Sequence, residues 1–466
     1  MRIALIAPPF HGSARGLPLG LAHLAAMLEV RGFEVAALDM TVSKRSLSSF
    51  LEELQPDVVG ISAVCATYLE AVAVAETSRT VLGSSVKIVV GGPHVAFGAD
   101  TILQRRPVFD VCVIGEAEYS LVELCEAFGR SGTAAWKAVP GIAFNDSGAV
   151  RRSVPRVMTE KLDELPLPAR AYFPEKGYVD AVGTFEVGAS NKAELIASRG
   201  CPYPCGFCST KEFWQRQFRN RSPRHVVTEM EELRRHGKTD IYFNDDIFTI
   251  RRKWVLELCD LLIERDLGIK WACGTRVDRV DLQLLSKMKE AGCVYVYYGV
   301  ETGSETINQG QMKGASIAKI EKAYSLLRDV GIFSSAAIIF GLPGESLDTA
   351  RASINWLRDV VRPDEIWISK ATCYPGTALA AHFGIDAADY EYRYRGQSEK
   401  GLPYGTGGIY TPFFNDSDLV RRIWDYAREE LSHLSVEFGD DRGMPFVGGL
   451  EFEGRVDEKF ERMPIA

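Results

Sequence analysis

The chain has 466 residues, 46% hydrophobic and 25% charged, with a formal net charge of −8. This is a globular composition with length for about three domains, and the acidic balance carries no general nucleic-acid or membrane signal. The ten cysteines are scattered apart from one central group of three, which is no disulfide framework and points to a reducing, cytoplasmic setting.

Met1 to Phe10 is apolar but too short to span a bilayer. His11-Gly12-Ser13 follows instead of a small-residue cleavage site, so the segment reads as a first strand and not a signal peptide. Arg2 to Ala7 is a buried strand closed by Pro8-Pro9, and Leu17 to Arg31 has helical spacing ended by Gly32. Strands follow at Phe33–Leu38, Val58–Ser62, Lys87–Gly92 and Val111–Glu116, with helices near Leu47–Leu54 and Tyr68–Leu82. Short apolar strands alternating with helices predict a doubly wound, Rossmann-like parallel sheet over residues 1–140. Such sheets bind ligands beyond the carboxyl ends of their strands. Those ends are rich in small residues (Gly12, Gly16, Ser62, Gly91, Gly92, Gly115), which let a large flat ligand approach the backbone.

Residues 141–190 read as a linker. Val139–Phe144 with Asn145-Asp-Ser-Gly148 forms a small hairpin, and Leu162-Asp-Glu-Leu-Pro-Leu-Pro168 crosses as an extended, proline-stiffened segment.

Over residues 191–400 the strand–helix rhythm returns and predicts a partial or complete βα barrel, with function at the strand carboxyl ends. Leu195 to Gly200 is the strand that delivers Cys201-Pro-Tyr-Pro-Cys205-Gly-Phe-Cys208, three thiols on a Pro- and Gly-rich loop. Soft thiolates select iron–sulfur clusters, zinc or Cu(I). A closed zinc site wants four ligands, whereas a cubane cluster on three cysteines keeps one iron open to a small molecule. A zinc knuckle completed by His225 is the alternative. Later strand ends carry Asn244-Asp245-Asp246, Thr275-Arg276-Val-Asp278, Gly299-Val-Glu301-Thr-Gly303, Gly341-Leu-Pro-Gly344 and Tyr374-Pro-Gly-Thr377. Asp245 or Asp246 also suits helix capping. Arg216, Arg219, Arg221 and Arg224 read as a solvated face, or else as a site for an acidic group. Cys259, Cys273, Cys293 and Cys373 read as core packing. Residues 401–466 form a small, partly helical carboxyl-terminal region whose role the sequence leaves open.

With Phe207 before the last thiol, the cysteine spacing resembles the signature of the radical S-adenosylmethionine (SAM) superfamily, and the strand-end motifs follow in that family's order. The resemblance implies a 4Fe–4S cluster on Cys201, Cys205 and Cys208, with SAM chelated at the open iron and cleaved to a 5′-deoxyadenosyl radical. It implies SAM contacts at Phe207, Asn244, Asp245, Asp246, Arg276, Glu301 and Gly341. Asn244–Asp246 would meet the ammonium, Arg276 a carboxylate, Glu301 a hydroxyl or the ammonium, and the Gly341 turn the adenine.

The first region, through Pro8-Pro9, Pro18-Leu-Gly-Leu-Ala-His-Leu-Ala25, Gly91-Gly-Pro-His94 and Gly115-Glu-Ala-Glu118, resembles the cobalamin-binding domain fused to one large class of these enzymes. This implies cobalamin over Pro8, Ser62, Cys65, Thr67, Gly91, Gly92, His94, Gly115 and Glu116. The wider Asp-x-His-x-x-Gly pattern is absent, so the resemblance implies cobalamin without a histidine on cobalt, His11 and His94 being the only nearby candidates. The implied activity is methyl transfer to an unactivated carbon of a small molecule. The implied partner is an electron donor such as flavodoxin or ferredoxin, with no nucleic acid and no membrane. A cyclase or ring-rearranging relative, a methylthiotransferase, a carrier module and a flavodoxin-like sheet without cofactor are the alternatives. An extra amino-terminal cysteine triad, which a methylthiotransferase needs, is not evident.

Overall fold

The computed structural model describes residues 1–10, 16–130, 135–174, 178, 191–391, 404–405 and 408–438. His11, Gly12, most of the Gly401–Gly408 loop and the tail lie outside them.

The first half is a seven-stranded sheet. Its parallel part is built from β1 (Arg2–Ala7), β2 (Glu34–Asp39), β3 (Val58–Ser62), β4 (Lys87–Gly91) and β5 (Val111–Val113). The connecting helices are α1 (Leu19–Val30), α2 (Leu47–Leu54), α3 (Tyr68–Leu82), α4 (Pro93–Arg105) and α5 (Glu118–Phe128). The order β2-β1-β3-β4-β5 is doubly wound, and its direction reverses between β1 and β3. The strands are near-continuous apolar runs because helices cover both faces: Ile3 and Leu5 pack toward α1 and α5, Ala4 and Ile6 toward α2 and α3. The hairpin β6 (Ile142–Asp146) and β7 (Ala149–Arg152) adds antiparallel to β5. It therefore extends the first sheet and is not free linker.

The second half is an arc of parallel strands: β8 (Lys192–Leu195), β11 (Asp240–Phe243), β12 (Lys270–Thr275), β13 (Cys293–Glu301), β14 (Phe333–Phe340), β15 (Glu365–Lys370) and β18 (Ser435–Phe438). Neighbours pair in that order, and β8 and β18 stand at opposite edges among the described residues, so the barrel is partial. A two-stranded ribbon, β9 (Ser198–Arg199) with β10 (Arg219–Asn220), branches off after β8. The strand expected at Leu195–Gly200 is thus split between arc and ribbon. A second ribbon, β16 (Tyr404–Gly405) with β17 (Gly408–Ile409), lies near the end.

Helices α7 (Pro223–Arg235), α8 (Arg252–Arg265), α9 (Leu282–Glu290), α11 (Ile317–Val330), α12 (Leu347–Trp356) and α14 (Ser417–Glu430) pack on the arc, while the short α10 (Glu305–Gly310) and α13 (Ala378–His382) belong to a separate apolar cluster and α6 (Thr210–Phe213) follows the thiol loop. Local chemistry sets their ends. Ser222 caps α7 with Pro223 in its first turn, Asp281 caps α9, Ser346 and Thr349 form a capping box on α12, and Gly331 closes α11 at φ 72°. The core between arc and helices centres on Phe243, Phe248, Trp254 and Trp271, whose rings meet edge-on or tilted at 4.6–5.6 Å. Leu258 of α8 is fully buried in this core. Leu258→Ala should lower stability by about 2–5 kcal/mol, read as an earlier urea midpoint of the carboxyl-terminal half.

Candidate functional site

The thiol loop leaves the ribbon directly after Arg199. Gly200 sits at φ 94°, and a Cβ there would lie 1.9 Å from the Gln217 carbonyl oxygen. Only glycine lets the outgoing and returning chains cross so closely. The loop is then stitched to the arc: Gly206 N donates to Gln311 O at 2.9 Å, and Leu379 N donates to Gly206 O at 2.9 Å. All ten cysteines are free. Cys205 is buried, while Cys201 and Cys208 are partly open.

Three free thiols on one anchored loop fit a multi-iron cluster. His225, the fourth ligand a zinc knuckle would call on, is engaged instead by Arg221 and Asp163, each at 3.1 Å.

Burial pushes the Cys201 thiol up to about 11, and burial also raises Cys205, opposed there by Lys313 and Arg276. Arg276 Nη1 lies 3.9 Å from Cys205 Sγ, and its guanidinium stacks 3.8 Å from the Tyr203 ring centroid. The other guanidinium nitrogens are taken by Asp278 (2.9 Å each) and the Lys313 carbonyl (2.7 Å). Arg276 thus holds the thiol loop from the end of β12. Two cations beside Cys205 favour its thiolate, the form that binds iron.

Glu301 and Lys313 form a buried pair, Nζ to Oε1 at 2.6 Å. Burial works against the Lys313 ammonium, yet Glu301 and the Cys205 sulfur outweigh it and raise its pKa. Glu301 also sits at φ 70°, a left-handed conformation that costs a non-glycine residue about 1–3 kcal/mol. Lys313 gave no sequence signal; its loop resembles no motif, and only folding brings it to Glu301.

At the end of β11, Asn244 and Asp246 are exposed toward the thiol loop, and Asp246 accepts from Gly200 N at 2.9 Å. Asn244 Nδ2 donates to Glu194 at 3.1 Å. Asp245 turns inward, accepting from Ala197 N at 2.8 Å and from the Ser198 hydroxyl. Asp245 is thus a brace for the ribbon and no open contact for an ammonium. Neither aspartate caps α8, which starts at Arg252 without a side-chain cap. At Gly341 (φ 86°) the space that a Cβ would fill is taken by the Phe414 and Phe413 rings, so only glycine fits this turn. Phe207 packs against the interface core described next.

The amino-terminal sheet points its strand ends at this loop. Cys65 and Phe207 both pack on a cluster made of Ile307, Leu342, Cys373, Leu379, Tyr390 and Ile409, a core shared by the two halves. Cys65 Sγ lies 3.3 Å from His94 Nδ1, and the His94 ring is held between Tyr68 and Tyr390 at 4.3 and 5.6 Å. Burial pushes the Cys65 thiol up to about 12 and His94 down to about 4, so both are neutral. Tyr68 and Arg106 meet the carboxylate of Glu391, Arg106 at 2.8 Å, latching the halves a second time.

Thr67 accepts from Val64 N at 3.2 Å and caps its own turn. Pro8 is buried, and Ser62, Gly91 and Gly115 are partly exposed along the edge. A Cβ at Gly92 would strike Ala63 O at 2.5 Å, so its smallness serves strand β3 rather than a ligand. Gly115, at φ 82° with nothing within 4 Å of an added Cβ, opens on a cleft lined also by Phe97, Arg152 and Phe213. The cleft lies on the hairpin side of Gly115, while Ser62 and Gly91 end β3 and β4 as small, half-buried residues, a backbone edge whose chemistry suits a large flat cofactor.

Glu116 departs from expectation. Its two oxygens accept from Arg199 Nη1 at 2.7 Å and Arg219 Nη1 at 2.8 Å, while Glu118 accepts from Arg199 Nη2 at 2.6 Å. All four side chains are at most 10% exposed. Arg219 and Arg221 are accordingly not a solvated face; Arg221 is buried on Glu229. The one available signal was Arg199 itself, a charge inside the otherwise apolar run Leu195-Ile-Ala-Ser.

Burial raises Asp245 to about 7, against its hydrogen bonds from Ser198 and Ala197. A carboxyl whose folded pKa lies above its unfolded one loses stability as pH rises between the two values. The unloaded chain should therefore melt lower at pH 8 than at pH 5, and Asp245→Asn should shrink that difference in a thermal melt. An undiminished difference in the variant would assign the pH dependence to other groups.

Two family models match this architecture: "B12 binding domain" over residues 13–125 and "Radical SAM superfamily" over residues 195–357. An uncharacterized methyltransferase of Pyrococcus horikoshii is 30% identical over 390 residues, 81% of this chain and 82% of that protein. An anaerobic magnesium-protoporphyrin IX monomethyl ester cyclase of Cereibacter sphaeroides is 31% identical over 407 residues, 84% of this chain and 65% of that protein. The same fold occurs in the radical SAM methyltransferase TsrM of Kitasatospora setae, solved with cobalamin and a [4Fe–4S] cluster (TM-score 0.74, 18% identity, covering 98% of this chain and 93% of that one). With its thiol loop facing the carboxyl edge of a doubly wound sheet, the chain belongs to the radical SAM enzymes that carry an amino-terminal cobalamin-binding domain, the class of the cobalamin-dependent radical SAM methyltransferases.

Proposed function

We propose that this enzyme transfers a methyl group to an unactivated carbon of a small molecule. The observation that carries the proposal is the apolar cluster around Leu342 and Cys373, on which Cys65 of the sheet edge and Phe207 of the thiol loop both pack. When bound, the cluster and SAM supply a hydrogen-abstracting radical and cobalamin supplies the methyl group. The chain's own residues bind and orient. Cys201, Cys205 and Cys208 hold the cluster, with Arg276 and Lys313 stabilising the Cys205 thiolate. Asn244 and Asp246 present oxygens to the SAM ammonium from beside Gly200, and Glu301 takes a SAM hydroxyl while keeping Lys313 in place. Pro8, Ser62, Gly91 and Gly115 form the cobalamin edge, with Cys65, Thr67 and His94 shaping its floor. Apolar Phe207, Leu342 and Cys373 exclude water, which protects a carbon radical from quenching. Electrons come from a flavodoxin or ferredoxin. No described helix is long and apolar enough to cross a membrane.

Ring formation is the second reading, favoured by the relative named as a cyclase. Mass analysis of products separates the two, because methylation adds a methyl group and cyclisation does not.

The Cys201/Cys205/Cys208→Ala triple variant should lose cluster iron and all deoxyadenosine formation from SAM under reduction; a retained cluster sinks the ligand assignment. Glu301→Gln should weaken SAM binding by about 1–3 kcal/mol in equilibrium titration, since a charged hydrogen bond becomes a neutral one. Bound cob(II)alamin should show no axial nitrogen by electron paramagnetic resonance. A nitrogen-split spectrum abolished by His94→Ala would overturn that expectation.

A further inference from the structure

The ionic knot of Glu116, Glu118, Arg199 and Arg219 is not required by either half alone. Each half places one sign of charge on its own surface, and neutrality exists only across the junction. Glu116 and Glu118 follow β5 directly, beside Gly115, whose free face opens on the cleft at the sheet edge. Arg199 precedes Cys201 with only Gly200 between, and Arg219 lies opposite it in the ribbon, Arg219 pairing with Arg199 in register. Arg219 Nη1 also donates to Thr159 O at 2.7 Å, which ties the crossing segment into the same knot. Burial alone would disfavour these charges. Yet each carboxylate meets a buried guanidinium at 2.6–2.8 Å. Removing one partner of such a group leaves a buried charge uncompensated.

The chemistry explains why a rigid junction is worth its desolvation. Reacting groups held by two separate halves must meet within a near-attack distance, and a displacement of about 1 Å costs on the order of 10²-fold in rate. A hydrophobic seam can slide; a two-toothed guanidinium–carboxylate grip fixes both distance and orientation.

We propose that Glu116 and Glu118 are positioning residues that lock the Cys201 loop to the sheet edge, so that cobalamin seated beside Gly115 rigidifies the cluster loop through Arg199. This rests on the cobalamin reading above. The grip acts through Arg199 on the loop and touches neither SAM nor substrate.

Amide hydrogen exchange on the cluster-loaded full chain, with and without added cobalamin, tests this. In the unsubstituted protein, cobalamin should slow exchange across residues 199–208. In Glu116→Gln/Glu118→Gln, cobalamin should still bind by optical titration, and exchange of the buried strands β12 to β14 should be unchanged. Protection of residues 199–208 should be lost. Retained protection in that variant overturns the proposal. If the double variant fails to fold, Glu116→Gln alone keeps the Glu118–Arg199 pair and should lose part of the protection; full protection there is equally fatal. If the unsubstituted protein binds no cobalamin, the cobalamin reading falls. The grip is then judged by the cluster-loaded chain alone, where faster exchange of residues 199–208 in the variant upholds the lock and unchanged exchange refutes it.

Discussion

Two buried carboxylates and two buried guanidiniums hold this molecule in register. Glu116 and Glu118 grip Arg199 and Arg219 at 2.6–2.8 Å across the junction of the halves. Such a group contributes little net stability over well-packed apolar residues, because desolvation consumes most of the Coulombic gain. What it supplies is a single allowed geometry. The Glu391 latch on Tyr68 and Arg106 repeats the device at a second place between the halves. Two directional ionic contacts beside an apolar seam leave the halves little freedom to rotate or slide.

The same economy governs the thiol loop. Its conformation is imposed from outside by Gln311, Leu379, Asp246 and the Arg276 stack on Tyr203. Several of these contacts are unfavourable in isolation: a left-handed Glu301, a buried Lys313, and an Asp245 raised to about 7. They persist because neighbouring contacts over-determine them, which is where strained and charged residues collect in enzymes.

Much of this was readable in advance. Strand runs such as Arg2–Ala7 and Val58–Ser62 are apolar because both faces are buried, and period and length reveal that without any partner. The cysteine loop was readable because three thiols at fixed short spacing leave few chemistries open. Less legible were residues whose type admits two uses. Glu116 follows a strand end beside a glycine, as a ligand contact would, and its oxygens grip two arginines. Arg276 and Gly341 stand at strand ends too, where one holds the thiol loop and the other packs close to Phe414. The hairpin at residues 142–152 looked like linker because nothing local announces that its edge pairs with β5.

The sequence by itself determined the alternation of strands and helices, the two-part order, the three-thiol loop and the glycines where chains cross. All of these are local: they depend on periodicity, on φ angles, or on residues within a few positions of one another. Only the tertiary structure decided which charges are neutralised and by whom. Lys313 finds Glu301 and Cys205, Arg199 finds Glu116 and Glu118, and Tyr68 finds Glu391, the last across 323 positions. Burial and pairing are properties of the assembled interior, where desolvation makes an unpaired charge intolerable, and no short stretch of sequence records which partner will arrive.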